Sequence, residues 1–123
     1  MADELPDFEG AAGVRREAMP VMLARDDGEY ETVAASQTNQ AIGSTGAVGD
    51  FLAGLLVVPA TTSPGAITIK DGSDGAITVF TGGATSVGNL TPFAIPLGLV
   101  SRTGAWQVTT GANVSVIAVG KFS

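Results

Sequence analysis

The sequence predicts an all-β protein, an antiparallel β-sandwich or jelly roll with an extended N-terminal arm. Three observations lead to this prediction. About eight short segments rich in Val, Ile and Thr follow one another along the 123 residues. Turn residues such as Gly, Asp and Asn separate them at a spacing of roughly ten residues. Almost no stretch has the helical period, so the helices that would connect the strands of a parallel sheet are missing.

The charge of the chain is unevenly distributed. Residues 1–31 contain nine of the twelve acidic side chains and three of the six basic ones, so the whole net charge of −6 lies in this segment. Residues 32–123 contain three acids and three bases. Residues 1–18 mix acids with Gly and Pro and show little periodicity, so we expect this segment to need a partner to become ordered. We therefore predict two parts, an extended acidic arm over residues 1–31 and a β-sandwich or jelly-roll body over residues 32–123.

Two stretches of the arm and its junction with the body predict a marginal hairpin. Residues 20–24 include the apolar Val21 and Leu23, residues 25–29 have the composition of a turn, and residues 30–34 alternate with a period of two. An isolated two-stranded hairpin is barely stable in water. This hairpin is therefore expected to add to a larger sheet.

The first half of the body contains the strongest strand patterns. Residues 36–49 are polar and rich in Gly and predict a loop. Residues 51–58 form an apolar run that predicts a central strand buried on both faces. Residues 66–70 and 76–80 alternate on either side of the Asp- and Gly-rich segment 71–75, which predicts a hairpin.

The second half of the body predicts three more strands. Residues 93–100 contain Pro96, which has no N–H to donate to a neighbouring strand, so this strand is expected at a sheet edge or at a β-bulge. Residues 106–109 and 114–119 are predicted to form a further hairpin through a turn at residues 110–113.

The composition argues against an enzyme. The chain has no Cys and no His, which removes disulfides, thiolate metal ligands, cysteine nucleophiles and the commonest general base. Residues 71–75 (DGSDG) resemble the start of a calcium loop, but Gly82 stands at the twelfth position where an EF-hand needs Glu. Asp71 and Asp74 would act as a glycosidase carboxylate pair only in a substrate-binding cleft, and the body is poor in aromatic side chains. We predict no catalytic residue, no metal and no cofactor.

Charge and hydropathy also limit the partners. A pI near 4.2 opposes binding to nucleic acid and to an anionic membrane surface. The longest apolar run, residues 51–60, is about half of the ~20 residues that span a bilayer. The first residues lack the basic and apolar regions of a secretory signal. We predict no nucleic-acid binding, no membrane insertion, and synthesis in the cytoplasm.

Single side chains leave alternatives open. Trp106, the only tryptophan, is interpreted first as a residue buried in the core or in a subunit contact. The alternative is an exposed ring that stacks on Arg102 or on a sugar. Arg15, Arg16 and Arg25 lie among acids and either form ion pairs with a partner surface or remain solvated.

Five phrases together resemble small virion structural proteins of tailed bacteriophages, in particular capsid decoration (cement) proteins. They span about nine-tenths of the chain and are RREAMPVMLA at 15–24, GAVGDFL at 46–52, ITIKDG at 67–72, IPLGL at 95–99 and GAWQVTTG at 104–111. The resemblance implies a β-sandwich or jelly-roll body, commonly a trimer, on the exterior of the virion capsid. It also implies that the protein clamps neighbouring major capsid subunits and has no catalytic residues.

The same resemblance leaves a second function open. Similar phrases occur in head fibres and tail parts, so the alternative is an exposed module that binds a host glycan or receptor through Trp106 and Thr-rich strand faces. In the decoration role, strand addition would join the chain to its partners through main-chain hydrogen bonds. The residues expected to bind partners are Arg15, Arg16, Met19, Val21, Leu23, Arg25, Tyr30 and Trp106.

Overall fold

The computed structural model describes residues 28–123, which form eight β-strands. The predicted strand at residues 20–24 and the six arm residues Arg15, Arg16, Met19, Val21, Leu23 and Arg25 lie outside the described residues. The strands are β1 (Glu29–Val33), β2 (Gln40–Ala41), β3 (Phe51–Pro59), β4 (Ile67–Asp71), β5 (Ile77–Phe80), β6 (Phe93–Val100), β7 (Trp106–Thr110) and β8 (Val114–Lys121).

The strands form two antiparallel sheets of four strands each. The first sheet has the order β1-β8-β3-β6 and the second has the order β2-β7-β4-β5. Each strand of the first half of the chain pairs with its counterpart counted from the other end, so β1 pairs with β8, β2 with β7, β3 with β6 and β4 with β5. The pairing is therefore that of one long hairpin folded over on itself.

The core lies between the two sheets and is built from alternate positions of their strands. In the first sheet Leu55, Val57 and Val116 are buried, and in the second sheet Ile69 and Val108 are buried, all within one apolar cluster. Val57 of β3 lies directly opposite Val116 of the neighbouring strand β8, so the buried positions of the two strands are aligned. This cluster, with strands that alternate between buried and less buried positions, gives the β-sandwich that the sequence predicts.

Most of the strand predictions for the body are confirmed. The hairpin over residues 66–80 is present, because β4 and β5 pair antiparallel. β6 is an edge strand, and its Pro96 lies opposite Gly54, directly after a register shift between Leu52 and Gly54. Both features of the prediction for Pro96 are therefore found. β1 begins at Glu29, so the predicted boundary between residues 31 and 32 falls inside a strand.

The prediction of a hairpin between residues 106–109 and 114–119 is wrong. β7 lies in the second sheet and β8 in the first, so residues 111–113 form a corner between the sheets. The backbone groups of this corner bond to another loop, with Gly65 N donating to Ala112 O at 2.8 Å and Ala60 N donating to Asn113 O at 2.9 Å. The predicted loop at 36–49 also contains the two-residue strand β2, which is too short for a period to reveal.

Candidate interaction surface

The outer faces of the two sheets differ in chemistry. The second sheet turns Thr68, Lys70, Gln107 and Thr109 away from the core, because their strand neighbours Ile67, Ile69, Trp106 and Val108 are buried. This face is polar, as expected for a sheet that faces water on one side. On the outer face of the first sheet, the two middle rows have the opposite character, and Ser115 and Lys121 of β8 lie on either side of them.

Two rows of side chains cross the outer face of the first sheet. One row runs from Tyr30 through Val119 and Gly54 to Pro96, and the next runs from Thr32 through Ile117 and Leu56 to Ala94. We call these eight residues the outer apolar face. Its only polar groups are the hydroxyls of Thr32 and Tyr30, and none of the eight residues is charged.

Part of the outer apolar face is strongly exposed. Tyr30 is 74% exposed and Val119 is 41% exposed, and beyond the two rows Val100 is 56% exposed. Single exposed apolar residues are ordinary, but a contiguous apolar area across four strands is typical of a contact surface. No described residue from 28 to 123 is found packed over this face.

A shallow groove of about 260 Å³ lies within the outer apolar face, among β3, β6 and β8. Its lining includes the small residues Gly54 and Ala94, next to the larger Leu56, Pro96 and Val119. Small side chains in the middle of a sheet leave a depression that a side chain from another molecule can enter. The groove contains no titratable residue and therefore no group for acid–base or nucleophilic chemistry.

The apolar sequence of β3 explains part of this surface. Residues 51–58 predict a strand buried on both faces, and β3 is indeed central, between β8 and β6. Its inward residues Leu52, Leu55 and Val57 are buried, whereas the outward Leu56 and Val58 are only half-buried among the described residues. The composition of the strand thus anticipates a second covering layer that residues 28–123 do not provide.

Of the residues predicted to bind partners, Tyr30 lies on the outer apolar face and Trp106 does not. Trp106 is 3% exposed, and its indole Nε1 donates to the Asp50 carbonyl oxygen at 3.0 Å. The interpretation of Trp106 as a core residue is therefore the one the structure supports. The prediction that Trp106 binds a partner or a sugar is wrong for the described residues, because the ring is enclosed between the sheets.

Two acidic residues of the body, Asp71 and Asp50, bond to backbone N–H groups of loops. The carboxylate of Asp71 accepts from Arg102 N at 2.9 Å and from Thr103 N at 3.1 Å. Burial would raise the pKa of Asp71, but the hydrogen bonds from Arg102 and Thr103 stabilise the charged form and hold the pKa below its usual value. Asp74 is exposed in the adjoining turn. The two aspartates therefore do not form a carboxylate pair in a cleft.

Asp50 binds a second set of loop groups. Its carboxylate accepts from Ala47 N and from Ser123 N, each at 3.1 Å, and from the Ser123 hydroxyl. Burial would raise the pKa of Asp50, and these hydrogen bonds more than offset that effect, so the pKa is lowered. Glu31 likewise accepts from Gly43 N at 2.8 Å, and Glu29 accepts from Phe122 N at 2.8 Å.

Sequence reasoning found Tyr30 but missed Leu56, Pro96, Ile117 and Val119. A signal for them was present in β8, where Val116, Ile117, Ala118 and Val119 are four apolar residues in succession. A strand with one face in water alternates, so an unbroken apolar run indicates that both faces are covered.

Within residues 28–123 the structure contains no cluster of three acidic residues able to hold a metal ion. The described residues also include no helix long and apolar enough to cross a bilayer. Comparisons of the chain with protein-family models, with curated proteins and with solved structures found no match.

Proposed function

We propose that this chain is a non-enzymatic structural protein of a tailed-phage virion, which decorates the capsid exterior and stabilises it. In this role the chain forms homo-oligomers, trimers by the resemblance of its sequence, and clamps neighbouring copies of the major capsid protein. The observation that carries the proposal is the contrast between the polar outer face of the second sheet and the outer apolar face of the first. One side suits solvent, and the other suits a protein contact.

The strand order supports a jelly roll in place of a simple sandwich. A chain in which strand n pairs with strand 9 − n, split between sheets β1-β8-β3-β6 and β2-β7-β4-β5, has the connections of two Greek keys. This architecture is frequent in viral capsid proteins. Since folds host many functions, the strand order favours a virion protein without specifying its role.

The position of residues 1–27 supports the clamping role. They precede Gly28 and therefore join the body at β1, an edge strand of the sheet that bears the outer apolar face. Fully extended, 27 residues reach roughly 90 Å, enough to contact a protein beyond the body. This segment contains seven acids and the three arginines Arg15, Arg16 and Arg25, so its contacts with the major capsid protein are expected to include ion pairs.

The proposal also agrees with the roles of the acidic residues. Asp50, Asp71, Glu29 and Glu31 each accept hydrogen bonds from backbone N–H groups of the body. Carboxylates held in this way stabilise the segments whose N–H groups they accept from. The acids of the body thus contribute to a rigid domain, as a reinforcing protein requires.

Binding to capsids tests the proposal. Expanded capsids that lack this chain, from the phage whose genome encodes it, are mixed with the full chain or with a chain lacking residues 1–27, and binding is measured by co-sedimentation. We expect saturable binding of the full chain, a rise in the temperature at which the particles open, and at least tenfold weaker binding of the shortened chain. The deletion starts the chain at Gly28 and leaves β1 whole.

The outcomes separate the two parts of the proposal. Failure of the full chain to bind capsids would contradict the decoration role. Equal affinity of the shortened chain would contradict the docking role of residues 1–27 alone. A full chain with Thr109→Asp on the polar face is the matched control, and it should bind as the unmodified chain does.

A further inference from the structure

We propose that the outer apolar face is the contact between copies of this chain, with Tyr30 of one copy inserted into the groove of the next. The inference rests on the self-assembly part of the proposed function, and it names the surface and the residues that perform it. The occupant of the face is therefore a second copy of the same chain.

The first argument is that the projecting side chain and the groove lie on the same face. Tyr30 is the most exposed of the large apolar residues, at 74%, and an aromatic ring with one polar end is a frequent anchor in protein contacts. The groove of about 260 Å³ beside Gly54 and Pro96 has room for a side chain. Each copy thus carries both halves of a contact.

The second argument is that both halves lie at the same height along the strands. Tyr30, Val119, Gly54 and Pro96 are register partners across β1, β8, β3 and β6. A rotation about an axis parallel to the strands preserves that height. It therefore brings Tyr30 of one copy level with Gly54 and Pro96 of another.

The third argument is the position of the two halves across the sheet. Tyr30 lies on the edge strand β1, whereas the groove extends to Pro96 on the opposite edge strand β6. A projecting residue at one edge and a recess near the other edge make a head-to-tail contact, and such a contact generates a ring of identical copies when its rotation closes. Along the centre of such a ring, Ile117 and Val119 of β8 would meet the same residues of the other copies.

The width of the sheet favours three copies. Four strands at ~4.8 Å make a sheet about 19 Å wide, and three such sheets arranged as a triangle lie roughly 5.5 Å from the central axis. This distance is close to half of the ~10 Å between packed sheets, so side chains fill the centre. Four copies would stand roughly 9.5 Å from the axis and leave an open channel. The trimer implied by the sequence resemblance thus agrees with the dimensions of the face.

Engineered disulfides test the contact directly, because the chain has no cysteine of its own. In the double variant Tyr30→Cys with Pro96→Cys, the two sulfurs of one copy lie on β1 and β6, three strand spacings or about 14 Å apart. A disulfide needs Cα atoms within about 7 Å, so this one forms only between copies. We expect oxidation of the purified full chain to give a covalent trimer on a non-reducing gel.

A matched double variant controls for random collision. Tyr30→Cys with Thr109→Cys moves the second cysteine to the polar face of the other sheet and should give no discrete covalent trimer. A covalent dimer as the end product, or equal cross-linking of both variants, would overturn the proposal.

A measurement without cysteines completes the test. Light scattering coupled to size-exclusion chromatography is expected to show that the full chain is a trimer. Val119→Asp and Tyr30→Ala are each expected to raise the dissociation constant of the trimer at least tenfold. Thr109→Asp should leave the trimer intact. A monomeric full chain, or a trimer indifferent to both substitutions, would overturn the inference. Val119→Asp alone can fail by unfolding, so circular dichroism is measured for each variant, and Tyr30→Ala removes no core contact.

The inference and the proposed function fail separately. A trimer that does not bind capsids would contradict the decoration role and leave the contact between copies standing. A monomer that binds capsids would contradict the contact and leave the decoration role standing.

Discussion

The indole Nε1 of Trp106 donates a hydrogen bond of 3.0 Å to the backbone carbonyl of Asp50. Trp106 begins β7 of the second sheet, and Asp50 directly precedes β3 of the first. The bond therefore links the two sheets at one end of the sandwich. The side chain of Asp50 holds Ala47 and Ser123 at the same place. Asp50 thus bonds to the second sheet through its carbonyl, and through its carboxylate to the loop before β3 and to the residue Ser123 after β8.

Substitution of Trp106 by Phe should destabilise the fold without changing assembly. The variant loses the Nε1 hydrogen bond to the Asp50 carbonyl, which keeps Ser101 N as its other donor, and it opens space in the core. We therefore expect a loss of about 2–4 kcal/mol in the free energy of unfolding. Chemical denaturation followed by circular dichroism measures it, because the variant has no tryptophan fluorescence. A change in oligomer size with unchanged stability would contradict the core role of Trp106.

Asp71→Asn and Asp74→Asn form a matched pair within one turn. Asp71 is 7% exposed and accepts from Arg102 N and Thr103 N. Replacing its carboxylate by the asparagine amide should therefore lower the free energy of unfolding by about 1–3 kcal/mol. Asp74 is exposed, and its substitution should change stability by less than about 0.5 kcal/mol. Urea denaturation of both variants gives the comparison. Equal effects would show that the carboxylate of Asp71 does not hold the loop.

Stability should fall in acid because of Asp50 and Asp71. The pKa of each carboxyl group is lowered in the folded protein, so the folded state binds protons less readily than the unfolded chain. The resulting stabilisation is fully present above the unfolded pKa of about 3.9 and is lost as the pH falls from there through the folded pKa. Urea midpoints between pH 7 and pH 2.5 should show this loss, and Asp71→Asn should show a smaller one.

Gly120→Ala should be far more harmful than Gly75→Ala. A Cβ atom at Gly120 would lie 1.9 Å from the carbonyl oxygen of Phe51 on the neighbouring strand, whereas a Cβ atom at Gly75 meets nothing within 4 Å. We expect a loss of at least about 2 kcal/mol for Gly120→Ala and almost none for Gly75→Ala. Thermal unfolding measures both. An unchanged unfolding temperature for Gly120→Ala would mean that β3 and β8 move apart easily.

The strands of the body could be predicted because their signals are local. The alternation in residues 66–70 and 76–80 and the turn between them contain all that β4 and β5 need. The partnership of β7 and β8 was misjudged because two adjacent strands can either pair or belong to different sheets. That choice depends on whether residues 111–113 turn back on themselves or bond to the loop at 60–66, which is a contact distant in sequence.

The candidate surface could be predicted only in part for a similar reason. The apolar outward residues of β3 indicated a second covered face, but the neighbours of Leu56 were unknown until the order β1-β8-β3-β6 was seen. An aromatic side chain suits both an interior and an interface, so the sequence alone leaves both positions open for Trp106. The bond to Asp50 decides between them, and its two residues are 56 positions apart.

The pairing of β1 with β8 has a consequence for synthesis on the ribosome. Glu29 lies opposite Gly120, so the first sheet is completed only after residue 120 has been translated. Until then the apolar β3 has no β8 beside it, and strands paired over such separations form slowly. Nascent copies therefore expose the aggregation-prone strand β3 during elongation. Slower translation at lower temperature should raise the soluble yield by limiting encounters between unfinished chains.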